Sequence, residues 1–182
     1  MTAARLNERE VSVNVANVLD EEDGAMNRAK NGPGTFVRIR LADGSFGYGR
    51  LLELPYVAFY DYRTTEPTSE LDTIASKPVL FRQAVRTSGL KSWEHLGGKA
   101  LEGEVAQPVV RYRQDLLDFR KCTLFDTAGM VREVGPEECI GIEQAAVWDP
   151  HHIEERLLDT FMGRPNGEEV RSRVRLGARQ ES

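Results

Sequence analysis

The sequence predicts a β-rich α+β domain, a curled antiparallel sheet or partly open small barrel with a C-terminal helix packed on it. Three observations carry this. Val37, Ile39 and Leu41 alternate with Phe36, Arg38 and Arg40, Asp43-Gly44 supplies a tight turn, and Phe46, Tyr48, Leu52 and Leu54 resume the alternation, which is the period of a β-hairpin. Gly47 and Gly49 then fall on one face of the second strand, where a missing side chain allows a bend or a close neighbour, as a curled sheet requires. Near the other end, Asp149-Pro150 precedes an apolar stripe of Ile153, Leu157, Leu158 and Phe161, the pattern of an amphipathic helix with an N-cap and a proline in its first turn.

The elements follow in chain order. Residues 1–34 read as a loosely ordered arm. Its valines at 11, 13 and 15 alternate like a strand, while 11, 15, 18 and Leu19 fit one helix face that β-branched residues disfavour, and Asn31-Gly32-Pro33-Gly34 closes it. After the hairpin and Pro55, Val57 to Tyr62 is dense in aromatic and β-favouring residues and predicts a third strand. Thr68 or Ser69 ahead of Glu70, Leu71 and Ile74 predicts a short capped helix that Lys77-Pro78 ends, and Val79 to Val85 predicts a fourth strand. Shorter pieces follow at Trp93 to Gly97 and around Val109, Val110 and Tyr112. A second hairpin is expected from Arg120 to Val134 around Asp126-Thr127-Ala128-Gly129. A short strand from Ala145 to Trp148 leads into the helix at Pro150, which Gly163 ends. The expected organisation is thus an arm (1–34), one β-rich domain (35–162) and an Arg-rich flexible tail (163–182).

Length and composition narrow the class. The 182 residues are enough for one domain with a sizeable core, and 40% hydrophobic with 29% charged residues is a globular balance. No stretch approaches the roughly 20 apolar residues of a membrane-spanning helix, and the first ten residues lack the apolar core of a signal peptide, so a cytoplasmic protein is expected. Two cysteines, Cys122 and Cys139, make neither a disulfide framework nor a four-ligand zinc site and read as reduced thiols. A net charge of −5 argues against a nucleic-acid partner, which would call for a dense basic face. The charge is uneven: residues 136–160 carry a net −6, and the last 20 residues a net +2.

Few residues promise chemistry. Gly44 to Gly49 is glycine-rich but lies in a hairpin and lacks the Gly-Lys-Ser/Thr ending of a phosphate loop, and no nucleophile elbow is present. No cofactor is expected. His151 and His152, each with a Glu three residues on, form the only metal-like constellation, and His151, His152 and Glu155 are the ligands an esterase would use. The plainer interpretation is a solvated first helical turn, with Glu favoured near its positive end.

Several of these residues form a pattern. Phe36-Val37-Arg38-Ile39, Gly47-Tyr48-Gly49-Arg50, the Val57 to Tyr62 strand, Pro78-Val79-Leu80-Phe81, and Ala146-Val147-Trp148-Asp149-Pro150 with Glu155-Arg156-Leu157 together resemble the bacterial immunity protein 26 family, over roughly residues 33–162. Members of that family are found beside polymorphic toxins. The resemblance implies a protein that neutralises a cognate toxin by stoichiometric binding. Some relatives are labelled phosphotriesterase, so a metal-assisted organophosphate hydrolase is the alternative. Gly47, Gly49, Arg50, Trp148, Asp149 and Arg156 read as structural members of the shared pattern. The −6 segment suits a basic toxin, and Glu137, Glu138, Glu154, Glu155 and Asp159 are the acids expected to face it. Glu143, between Ile142 and an apolar run, is expected to be a hydrogen-bonded carboxylate inside the fold.

Overall fold

Two strands that alternate this cleanly pair locally, and β1 (Thr35–Arg40) and β2 (Phe46–Leu51) form the expected antiparallel hairpin, with Val37 opposite Gly49 and Ile39 opposite Gly47. Its turn is closed by Asp43, whose carboxylate accepts from the Ser45 amide and hydroxyl, and by Gly44 at φ +85°. The computed structural model describes residues 32–176. Most of the arm expected over 1–34, with its valine patch, and the last six residues of the expected tail lie outside the described residues.

From β2 the chain continues as a meander through β3 (Tyr56–Tyr60), a short helix α1 (Leu71–Ala75) and β4 (Val79–Val85). A 3-10 turn (Thr87–Ser92) then returns it to the opposite edge as β5 (Glu94–Gly98). A second 3-10 turn (Gly103–Ala106) leads into a separate meander of β6 (Val110–Gln114), β7 (Cys122–Asp126) and β8 (Val131–Val134). A third (Pro136–Cys139) precedes β9 (Val147–Trp148), α2 (Pro150–Phe161) and α3 (Gly167–Arg171).

The result is β-rich α+β with two open sheets, one of six strands in the order β5-β1-β2-β3-β4-β9 and one of three in the order β6-β7-β8. The large sheet is antiparallel except at its last member. There β9 runs parallel to β4, with Ala84 opposite Val147 and Val85 opposite Trp148, because the chain reaches it only after traversing the second sheet.

The large sheet is buried on both faces. On one, Val37, Ile39, Leu51, Val57, Phe59 and Val85 pack with Ile153 and Leu157 of α2 and with Trp93 and Trp148. On the other, Phe36, Tyr48 and Tyr60 pack with Ile74 of α1. Gly47 and Gly49 occupy the helix side. A Cβ at Gly47 would lie 3.2 Å from Leu157 Cδ1, and one at Gly49 would lie 3.1 Å from the Phe59 ring and 3.2 Å from the Ala58 carbonyl oxygen. The space they leave therefore admits a helix side chain and an aromatic ring, and α2 seats close on the strand.

The start of α2 departs from expectation in one respect. Asp149 has the extended backbone of an N-cap, and Pro150 follows in the first turn, but the Asp149 carboxylate caps no helix amide. It pairs with Arg86, which β4 delivers beside β9 through the Arg86 amide bond to the Trp148 carbonyl. A full positive charge outcompetes neutral amide donors for the same oxygens, and Arg86 holds the Asp149 carboxyl below its ordinary range. The side-chain cap is found instead at α3, where buried Asn166 accepts from the Glu168 and Glu169 amides.

Candidate functional site

The acidic segment proves to be of two kinds. Glu154 is half-buried and accepts the Trp93 indole N–H at 2.9 Å, tying α2 to the turn before β5. Asp159, also half-buried, takes the Asn166 amide at 3.0 Å and the Arg164 guanidinium at 3.0 Å, so it fixes the corner between α2 and α3. Glu137, Glu138 and Glu155 are exposed. Glu138 faces Arg132 at 2.8 Å, whereas Glu137 and Glu155 carry no ion pair among the described residues. Glu143 is half-buried, not enclosed as expected, and accepts from Arg156 Nη2 at 2.6 Å.

The structural members of the sequence pattern converge on two buried arginines. Arg50 donates to the Gly34, Lys99 and Ala100 carbonyls and lies 4.5 Å over the Phe36 ring, locking the ends of β1 and β5 to β2. Arg156, 7% exposed, sits 3.8 Å over Phe81 and 5.3 Å over Trp148 with Glu143 at its tip. It joins α2, β4, β9 and the segment returning from the second sheet. One guanidinium nitrogen, Nη1, has no partner.

The described histidines at the start of α2 have rings 3.9 Å apart, and their third neighbour is Asp149 and not Glu155: ligand atoms of Asp149, His151 and His152 lie within 4.8 Å of one another. These three can offer one ligand atom each to a first-row transition metal, although the carboxylate is already held by Arg86. Glu155 lies on the helix outside this group. Cys122 and Cys139 are free and buried against Tyr112 and Leu124, and burial pushes the Cys139 thiol up to about 12, away from nucleophilic duty.

The second sheet presents a feature the sequence reading missed. The β6–β7 loop carries Leu116 and Leu117 at 85% and 98% exposure, the two most exposed large apolar side chains among the described residues. At its root opens a groove of about 670 Å³ between Arg113, Arg120 and Lys121 on one lip and Glu133 and Glu138 on the other. The sequence signal was present as two leucines between Asp115 and Asp118, breaking the alternation of the strands on either side. Periodicity alone does not say whether such a pair is buried or displayed.

Residues 32–123 match the family model described as Immunity protein 26. The chain belongs to the immunity protein 26 family. The matched stretch takes in the β1–β2 hairpin, the meander through β4 and β5, and the second sheet as far as the start of β7. Glu137, Glu138, Glu154, Glu155 and Asp159, like Trp148, Asp149 and Arg156, lie beyond it. No curated protein and no solved structure matches the chain. No helix among the described residues is long and apolar enough to cross a membrane.

Proposed function

We propose that this chain is an immunity protein that neutralises a cognate toxin by stoichiometric binding, in the cytoplasm and without turnover. Membership of the immunity protein 26 family is the observation that carries the reading. The fold supports it: a sheet packed on both faces is a rigid scaffold, and surface groups on a rigid scaffold bind with little ordering cost. The exposed acids Glu137, Glu138 and Glu155 are the ones that steer a basic toxin. Glu154 and Asp159 contribute to the same negative field while holding α2 in place.

The test is association with the toxin encoded beside this chain's gene, measured at low and high salt. The unmodified chain binds. Reversing Glu137 and Glu138 to Lys slows association several-fold and flattens its salt dependence while leaving the fold intact. Unchanged rates would remove these acids from the interface, and no binding at all would remove the immunity reading.

The Asp149, His151 and His152 cluster is the one observation that favours the phosphotriesterase alternative. Metal analysis of protein purified without added metal, together with an organophosphate hydrolysis assay, tests it. Stoichiometric metal, with hydrolysis abolished in His151→Ala or His152→Ala, would establish the enzyme in place of the binder.

A further inference from the structure

A loop that exposes two adjacent leucines to water carries a standing hydrophobic cost, and here nothing in the loop itself relieves it. The loop is nevertheless well tied. The Asp115 carboxylate accepts from the Leu117 and Asp118 amides, both at 2.8 Å, and the Asp118 carboxylate accepts from the Arg120 amide at 3.2 Å. Main-chain bonds join Asp115 to Lys121 and Lys121 to Asp118, each at 2.9 Å, and Gln114 reaches the Phe119 carbonyl at 2.7 Å. Both aspartates are held below their ordinary pKa, Asp115 by the two loop amides and Asp118 chiefly by the Arg120 side chain. These bonds fix the turn from within the loop, and they leave Leu116 and Leu117 as its most exposed apolar side chains, beside the exposed Arg120 and Lys121.

The groove at the loop's root gives this display a direction. Its two lips differ in character, with Arg113, Asp115, Arg120 and Lys121 toward the loop and Glu133 and Glu138 alone toward the third 3-10 turn, where exposed Glu137 also lies. Of the acids proposed above for steering, Glu138 lines this depression and Glu137 is its chain neighbour, while Glu155 lies apart on α2; the leucines belong to the loop that carries Asp115, Arg120 and Lys121 of the same lining. A field that draws a basic partner toward Glu137 and Glu138 delivers it to the sheet that carries the three most exposed large apolar side chains among the described residues, Leu116, Leu117 and Val131, of which the leucines stand together on a tied loop.

We propose that the β6–β7 loop is the apolar anchor of the toxin interface: Leu116 and Leu117 insert into an apolar pocket of the toxin, whose basic side chains meet the Glu133 and Glu138 lip. This rests on the immunity reading and adds to it the surface and the chemistry of the partner. The tied loop keeps the ordering cost of insertion low. Fully burying one leucine shifts an equilibrium by roughly ten- to a hundredfold, so the pair dominates affinity while the acids govern the association rate.

The experiment measures the affinity and rates of the full chain for the toxin encoded beside its gene, with Leu116→Asp/Leu117→Asp, Glu133→Lys/Glu138→Lys and Asp115→Ala as variants. The leucine variant is expected to lose affinity at least about 100-fold, mainly through faster dissociation, with an unchanged melting temperature because both side chains stand in water. The lysine variant is expected to slow association several-fold. Asp115→Ala keeps the leucines but loosens their loop, and is expected to weaken binding by a smaller factor. If the unmodified chain binds and the leucine variant binds equally well, the anchor is overturned while the immunity reading stands. If the unmodified chain does not bind, both fall. If the leucines hold two copies of this chain together in sedimentation, and their loss leaves toxin binding intact, the loop is a self-association site and the proposal is overturned.

Discussion

Replacing Arg156 with Met keeps most of the aliphatic stem and removes the guanidinium with its charge, and the consequences can be worked from its neighbours. The guanidinium lies over Phe81 at 3.8 Å in a site where Arg156 is 7% exposed, and a desolvated cation–π contact of this kind contributes about 2 kcal/mol. The hydrogen bond to Glu143 is 2.6 Å long, and stranding the partner of a fully buried ion pair costs about 3–5 kcal/mol. Glu143 retains 21% side-chain exposure and can rehydrate, and methionine restores most of the stem packing. Arg156 Nη1 also has no partner, so the native guanidinium already bears part of its desolvation cost. The balance is a loss of about 3 kcal/mol, which for a domain of this size lowers the melting temperature by roughly 6–12 °C. Adding Glu143→Gln removes the stranded charge and returns about 1 kcal/mol, a coupling readable in a double-mutant cycle of urea unfolding. A single variant within about 0.5 kcal/mol of the parent, or a cycle with no coupling, would refute the view that this pair holds α2 to the two sheets.

Gly49→Ala is expected to destabilise more than Gly47→Ala, because the new methyl meets the fixed Ala58 carbonyl and the Phe59 ring in one case and only the methyl end of the Leu157 side chain in the other; equal melting temperatures would contradict this. Asp149→Ala should lower the melting temperature only slightly and become neutral in an Arg86→Ala background, since its carboxylate serves a half-exposed ion pair and no helix amide; an undiminished effect without Arg86 would restore the cap. Asp43, Asp115 and Asp118 have folded pKa values below those of the unfolded chain, so the stability they supply is present above about pH 4 and fades as pH falls through the lower folded values. An NMR titration should place the Asp115 midpoint below the ordinary aspartate value, and a midpoint at or above it would contradict the loop geometry.

The parts of the fold legible in the sequence are those governed by neighbours in the chain. The β1–β2 hairpin, β3, the bounds of β4 and the Pro150 start of α2 follow from alternation, turn residues and an apolar stripe, which are local properties. What alternation does not carry is long-range partnership. The parallel seat of β9 on β4, the division into two sheets and the diversion of Asp149 to Arg86, 63 residues away, depend on where the chain returns. The same holds for residues 164–176. Their arginines read as a tail from composition, yet the Ser172 carbonyl accepts from the Tyr112 hydroxyl at 2.5 Å, and the Arg175 amide and carbonyl pair with Gln114.

The candidate site was legible in the same uneven way. Glu137, Glu138 and Glu155 are exposed as an acidic surface requires, while Glu154 and Asp159, of the same residue types and in the same run, are drawn inward by Trp93, Asn166 and Arg164. A charge count does not distinguish a carboxylate that faces solvent from one that serves as a hydrogen-bond acceptor for a distant element. For the two leucines of the β6–β7 loop the reverse applies, since an apolar pair in sequence is ordinarily assigned to the core.

The central claim, that protection comes from one-to-one binding without turnover, is tested most directly by titrating the toxin encoded beside this chain's gene with the purified chain and following the toxin's residual activity. The account predicts a linear fall that reaches its floor at one equivalent, with full activity recovered when the complex is dissociated and the toxin re-isolated. Complete inactivation by a small fraction of an equivalent, or toxin that stays inactive after separation, would show catalytic modification and contradict it.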